Sequence, residues 1–304
     1  MEISHLKIFR TVADLGSVSA AAGQLNCVQS NVTIRIKNLE QELGQALFYR
    51  KPRGMILTPS GHLLLKYANQ IIHLEKEARK AMSDNTWVRG QLMLGAIESV
   101  AAIHLPRLLA KFHGLYPEVE LTLITANSTE LNQKVVDYEL EGAFVTDGYK
   151  LPDLEWREAF RENLVLVCPA GNEPPKTAAQ KGIMVFPKPC IYRERLEAWF
   201  EYQGLSPAKK IELGSTDGMI KCVSAGMGVS ALPLSSVETA SESGVISTHT
   251  IGKKLESVPI MFVIRKDILV SKPLSAFLDL IPDPGDNVYL DSNIPHAGRI
   301  YEIH

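Results

Sequence analysis

No apolar run in the 304 residues approaches the ~20 residues a membrane-spanning helix needs. The N-terminus, Met1-Glu2-Ile3-Ser4-His5-Leu6-Lys7, carries charges every few residues and no long apolar core, so it does not read as a signal peptide. The expectation is a cytoplasmic protein with no membrane partner. Cysteine is scarce: Cys27, Cys168, Cys190 and Cys222 form no C-x-x-C pair and no Cys/His cluster. A structural zinc is therefore not expected, and four reduced thiols are. The catalytic signatures are missing too. There is no G-x-S-x-G elbow, no H-E-x-x-H, no phosphate loop with its lysine and no dinucleotide fingerprint. Gly226-x-Gly228 reads instead as a tight helix-to-strand turn. No enzyme, cofactor or metal is expected.

What is present is a globular balance of 45% apolar and 22% charged residues, long enough for two or three folding units. Net charge is only −2, but it is unevenly spread. Residues 1–82 hold 11 Lys and Arg against 6 Asp and Glu, whereas the remainder holds 21 against 28. A basic head on an acidic body suits a chain whose one end meets a polyanion, although such splits also arise by chance.

In the head, Leu6, Phe9, Val12 and Ala13 share a helical face over Ser4–Leu15. Gly16 suits its C-cap and Ser17 the N-cap of a second helix holding Ala20, Ala21, Ala22 and Leu25. A third helix runs from Gln29 to Leu43, with Val32, Ile36, Leu39 and Leu43 as its buried stripe. The opposite face carries Gln29, Ser30, Asn31, Thr33, Arg35 and Lys37. Polar residues gathered at a helix N-terminus suit base recognition in a major groove. An ordinary solvated face fits the helix alone equally well. Next, Leu47–Arg50 and Met55–Thr58 read as two short strands joined by a basic tip, with Arg50, Lys51 and Arg53 placed to meet phosphates or a minor groove. Thr58 can cap a long helix beginning at Pro59. It runs about 28 residues, and Leu64, Tyr67, Ile71, Leu74, Ala78 and Ala81 repeat at 3-4-3-4-3, a coiled-coil seam. A helix packed on its own body is the alternative.

These residues resemble the LysR-type transcriptional regulators. The matching elements are Leu6-x-x-Phe9, Gly16-Ser17-x-Ser19-Ala20-Ala21-Ala22, Leu25, Gln29-Ser30-x-Val32-Thr33, Ile36-x-x-Leu39-Glu40-x-Glu42-Leu43-Gly44, Leu47-Phe48-x-Arg50 and Leu57-Thr58-Pro59-Ser60-Gly61. Arg35 departs from a common Gln, and Asn31 from a common Ala. The resemblance implies a winged helix-turn-helix over 1–58, a linker and dimerisation helix with its hinge over 59–89, and double-stranded DNA as partner. It also implies a homodimer formed through the seam, with a homotetramer and RNA polymerase as further partners. Glu40, acidic near DNA, reads as structural.

From Gln91 the pattern alternates between strands and helices. Candidate strands lie at 91–96, 119–125, 142–146, 164–169, 182–186, 210–214, 228–232 and 258–264, an α/β body with mostly parallel sheets. Gly95, Leu105-Pro106, Phe112, Tyr116-Pro117 and Val223-x-x-Gly226-x-Gly228-x-x-x-Leu232-Pro233 are similar to the LysR-type effector domain and, through it, to periplasmic binding proteins. The resemblance implies an effector domain over 90–282 in two lobes, 91–165 with 268–281, and 166–267, and a small-molecule effector in the cleft. Residues at strand ends and helix starts are its candidate contacts: Ser99, Val100, Ser128, Thr129, Thr146, Cys190, Tyr192 and Arg193. Hydroxyls beside helix N-termini suit an anion, and Arg193 suits a carboxylate clamp. Helix capping is the competing reading for each hydroxyl, and a salt bridge for Arg193. A redox role for Cys190 has little support without a nearby partner. Residues 283–304 read as a C-terminal tail, either mobile or strapped onto the body through Tyr289, Leu290 and Ile294. A solute-binding protein and a constitutive DNA-architectural protein are the rival functions.

Overall fold

The computed structural model describes residues 1–51, 54–82, 87–146, 148 and 150–282, without the side chains of 76, 77, 80 and 81. Arg53, the segment 83–86, Asp147 and the tail 283–304 lie outside the described residues. Contacts divide the chain into Met1–Trp87 with Val136–Leu140, and Val88–Val135 with the chain from Glu141 onward.

In the first unit, helices α1 (Ile3–Leu15), α2 (Val18–Gln24) and α3 (Gln29–Leu43) are followed by strands β1 (Phe48–Lys51) and β2 (Gly54–Leu57) and helix α4 (Pro59–Ala81). The caps follow from local chemistry. Gly16 adopts φ 60° and ends α1, the Ser17 side chain accepts from the Ala20 amide, and Asn26 takes φ 50° in the turn before α3. The core joins Leu6, Phe9, Val12, Ala21, Val32, Ile36, Leu39 and Leu47. Leu43, expected in that stripe, is exposed; it is the last residue of α3, next to the C-cap Gly44. Thr58 accepts from the Gly61 amide at 2.9 Å and donates to Ala46 O at 2.7 Å, fixing the start of α4. At 23 residues, α4 is about 35 Å long.

The seam of α4 needs correction. Leu64 and Ile71 are half-buried against the head core, alongside Ala68 and Ile72. Tyr67, Leu74 and Ala78 stay exposed, and Leu63 joins them at 59% exposure. The exposed row 63–67–74–78 is thus rotated from the expected one, since a helix lying on a domain must spend one apolar face on it.

The second unit runs β3 (Gly90–Ala96), α5 (Glu98–Ile103), α6 (Leu105–Leu115), β4 (Val119–Thr125), α7 (Ser128–Val136), β5 (Gly142–Thr146) and β6 (Leu154–Pro169). It continues with α8 (Pro175–Lys181), β7 (Ile183–Val185), α9 (Ile191–Gln203), β8 (Lys210–Glu212), α10 (Thr216–Ser224), β9 (Ser230–Pro233), α11 (Leu234–Glu242), β10 (Ile246–Thr250), β11 (Ser257–Arg265) and α12 (Lys272–Leu278). The strand order is β10-β6-β11-β5-β3-β4, with β9 also on β6.

Among these strands only β4-β3-β5 and the separate pair β7-β8 are parallel; β11 runs antiparallel to both β5 and β6, and β9 and β10 antiparallel to β6. The expected mostly parallel sheet is therefore mixed. The 16-residue β6 is the reason. Its first part, from Leu154 to Asn163, pairs with β11, and its second, from Leu164, pairs with β9 and β10. One strand thus serves both lobes. The return into the first lobe comes at Ser257 and not at 268, because β11 already lies between β5 and β6. Phe112, Phe144, Phe262 and Phe277 fill the first lobe, with ring centroids 4.7 Å apart for Phe144–Phe262 and 5.3 Å for Phe112–Phe277. Val165, Val167, Met184, Met219, Val223 and Leu232 fill the second. Gly228, at φ 142°, lies so close to the Gly182 backbone that a Cβ would collide with it.

Candidate DNA interface and ligand cavity

On α3 the expected polar face divides into open and engaged residues. Ser30 and Lys37 are exposed, and Thr33 is half-buried. Gln29 is exposed but donates to Ser19 Oγ at 2.6 Å, tying α3 to α2. Arg35 donates to Asn31 Oδ1 at 2.8 Å and to Ser4 Oγ at 3.2 Å. These two residues therefore hold α3 against α1 and are not fully open to a base. Glu40 accepts from the Leu47 and Phe48 amides at 2.9 and 3.4 Å and reaches Arg50 at 3.4 Å. The acid is a bracket for the wing, as its position suggested, and it partly neutralises Arg50. Lys51 is exposed at the end of β1. One exposed residue escaped the sequence reading: Ile34, at 56% exposure, sits among the polar ones. The signal was available, since it falls opposite Val32 and Ile36.

In the body, the ends of β3, β4 and β5 and the start of α9 surround a cavity of about 370 Å³. Ser99, Ser128, Thr146, Cys190 and Tyr192 line it. Val100 is fully buried outside the lining, and Thr129 is exposed away from it. Arg193 is also absent from the lining. Its guanidinium, 6% exposed, donates to Glu212 at 2.7 Å, to Glu197 at 3.0 Å and to Phe186 O at 3.2 Å. Burial works against its charge, but the bonds to Glu212 and Glu197 win and raise its pKa. The clamp expected there is a salt-bridge hub inside the second lobe. The helix turn explains it: at the third position of α9, Arg193 faces β7 and β8, whereas Ile191 and Tyr192 face the cavity.

The cavity's polar groups are paired with one another. Ser99 Oγ and the Tyr192 hydroxyl are 2.9 Å apart, and that hydroxyl donates to Glu162. Glu162, on β6 and fully buried, also meets His104 Nε2 at 3.2 Å. Burial and the Glu162 charge raise the Tyr192 pKa well above its ordinary value, so the phenol stays a neutral donor. Ser128 Oγ and Thr146 Oγ1 are 3.0 Å apart. Glu98 accepts from Thr216 Oγ1 at 2.7 Å and from its amide at 3.5 Å, joining the two lobes. Among the described residues, Glu98, Glu130 and Lys188 are the charged ones in the lining, and Lys188 leans on Glu197 at 3.8 Å. Glu162 and Thr216 were missed because each is one unremarkable polar residue in a long chain; only the fold brings them here. Burial pushes the Cys190 thiol pKa up, against the pull of the Arg193 and Tyr192 amides. Burial drives Cys168 up to about 12. Both thiols are poor nucleophiles at neutral pH.

Residues 3–62 match the model for the bacterial regulatory helix-turn-helix protein, lysR family, and residues 87–283 match that for the LysR substrate binding domain, more than half of the chain. This chain belongs to the LysR family of transcription regulators. Among its relatives, the HTH-type transcriptional regulator GltR of Bacillus subtilis (strain 168) is 42% identical over 287 residues, 93% of this chain and 97% of that one. The HTH-type transcriptional regulator SoxR of Arthrobacter sp. (strain TE1826) is 37% identical over 281 residues, 92% and 96% of the two chains. A full-length point variant of OxyR from Pseudomonas aeruginosa shares the fold at a TM-score of 0.74 and 22% identity, over 92% of this LysR-type chain and 94% of that one. Full-length CbnR complexed with target DNA shares it at 0.63 and 23%, over 92% and 99%. No described helix is long and apolar enough to cross a membrane.

Proposed function

We propose that this LysR-type chain holds a specific double-stranded DNA site and changes that hold when a small metabolite with one anionic group, a carboxylate being the simplest, occupies the body cavity. The observation that carries the reading is the pairing, in one chain, of an open polar helix face with a cavity framed by strand ends and the N-terminus of α9. Ser30, Thr33 and Lys37 read bases or nearby phosphates, and Arg50 and Lys51 meet the backbone. Gln29, Asn31 and Arg35 position α3. Two copies join through the exposed row of α4, Leu63, Tyr67, Leu74 and Ala78; a tetramer, contact with RNA polymerase and a cytoplasmic setting complete the proposal.

The anionic group is favoured by Lys188, by the hydroxyls of Ser99, Ser128 and Thr146, and by the start of α9. Glu98 and Glu130 limit it, since a polyanion would be repelled. Mechanistically, the ligand binds one lobe arrangement better than another and so shifts the population. A thermal-shift screen of small mono-, di- and tricarboxylates tests this. The expected result is stabilisation by a monocarboxylate, about 2.7 kcal/mol at a hundredfold excess over Kd. No shift with any acid, or a preference for tricarboxylates, overturns the anion reading.

A further inference from the structure

We propose that Ile34 reads a thymine through its 5-methyl group and is a sequence-determining residue of the head. The inference rests on the reading of α3 as the base-recognition helix. Ile34 lies two residues from both Val32 and Ile36, which are 0% and 1% exposed. At ~100° per residue it points about 160° away from them. It is 56% exposed. Its neighbours on the same helix face are Ser30, one turn before it, and Lys37 and Asn38, one turn after, all exposed. A branched apolar side chain is therefore set in the centre of a polar face. In the free head more than half of it stays in water, and a β-branched residue does not favour the helix.

The major groove offers one apolar group, the thymine methyl, and it is the natural occupant for a side chain with no hydrogen-bonding atom. Ser30 and Lys37 on either side supply polar contacts to adjacent bases or phosphates, so the methyl contact continues an interface already assigned to this face. Thr33, which also carries a methyl group, is half-buried, while Ile34 is open.

The test begins by selecting a binding sequence from a random duplex pool with the full-length chain. Each thymine of the selected duplex is then replaced in turn by uracil, which removes only the methyl. The expected result is one position per half-site where uracil weakens binding about three- to fivefold, the scale of one buried methyl. In the Ile34→Ala variant that penalty disappears while its melting temperature is unchanged. A uracil scan that is flat at every thymine overturns the inference, as does an undiminished penalty in Ile34→Ala. Failure to select any sequence at all would instead overturn the reading of α3 itself, and so the two failures are distinguishable.

Discussion

The polar groups of the head and of the body are kept in different states. On α3, Ser30 and Lys37 stand open, with no side-chain partner among the described residues to give up. In the cavity, Ser99 is paired with Tyr192, Ser128 with Thr146, and Glu98 with Thr216. On the proposed function, DNA would meet open donors, whereas a metabolite would have to exchange with bonds the protein already makes. Removing an open group should cost its whole contact. Removing an exchanging group should cost only the difference between two bonds, and it should also loosen the lobes.

The largest effect is expected where a buried charge is involved. Arg193→Ala removes the buried guanidinium that ties Glu197 to Glu212 and should cost the body about 2 kcal/mol, less than the ~3–5 of a fully buried pair because Glu212 is half exposed and Glu197 keeps Lys210 and Lys188. Urea unfolding measures the loss. If instead stability is intact and carboxylate binding vanishes, Arg193 is a clamp after all. Next come Ser30→Ala and Lys37→Ala. Each should weaken the selected duplex by about tenfold with no change in melting temperature, as open groups require. Lys51→Ala should weaken all sequences alike and lower the salt slope by about 1. Ser128→Ala should cost about 1 kcal/mol of stability and less than about fivefold in ligand affinity, read by thermal unfolding and calorimetry. A tenfold affinity loss without a stability loss would erase the contrast between head and cavity. The smallest effect is expected at Cys190. Its pKa is raised above the ordinary 9.0 by burial, so maleimide labelling should still be accelerating as the pH is brought up to 9. A rate that levels off below pH 9 would reopen a redox role.

Legibility in the sequence followed the range of the interactions. The helix boundaries of the head were readable, because Gly16, Ser17, Asn26 and Thr58 act on their immediate neighbours. Periodicity on α4 marks apolar faces, but not which face lies against the head, and Leu64 and Ile71 pack against the head core. In the body, the first part of β6 was missed. Glu155, Arg157, Glu158, Arg161 and Glu162 dilute its apolar content, and a bulge opposite Ile260 and Met261 breaks its alternation. That miss also displaced the lobe boundary. Cavity residues at strand ends, Ser99, Ser128 and Thr146, could be found from the pattern of elements. Arg193 could not, since one helical turn decides whether it faces the cavity or the Glu197–Glu212 pair.

The central claim is that the cavity governs the head. By linkage, a ligand that alters DNA affinity must have its own affinity altered by DNA to the same factor. The direct measurement is the Kd of the best thermal-shift carboxylate for the full-length chain, with and without a saturating amount of the selected duplex. The account predicts two values that differ by at least about fivefold, the low end of ordinary allosteric coupling. Two identical values would contradict it, leaving a DNA-binding head and a ligand-binding body with no energetic connection.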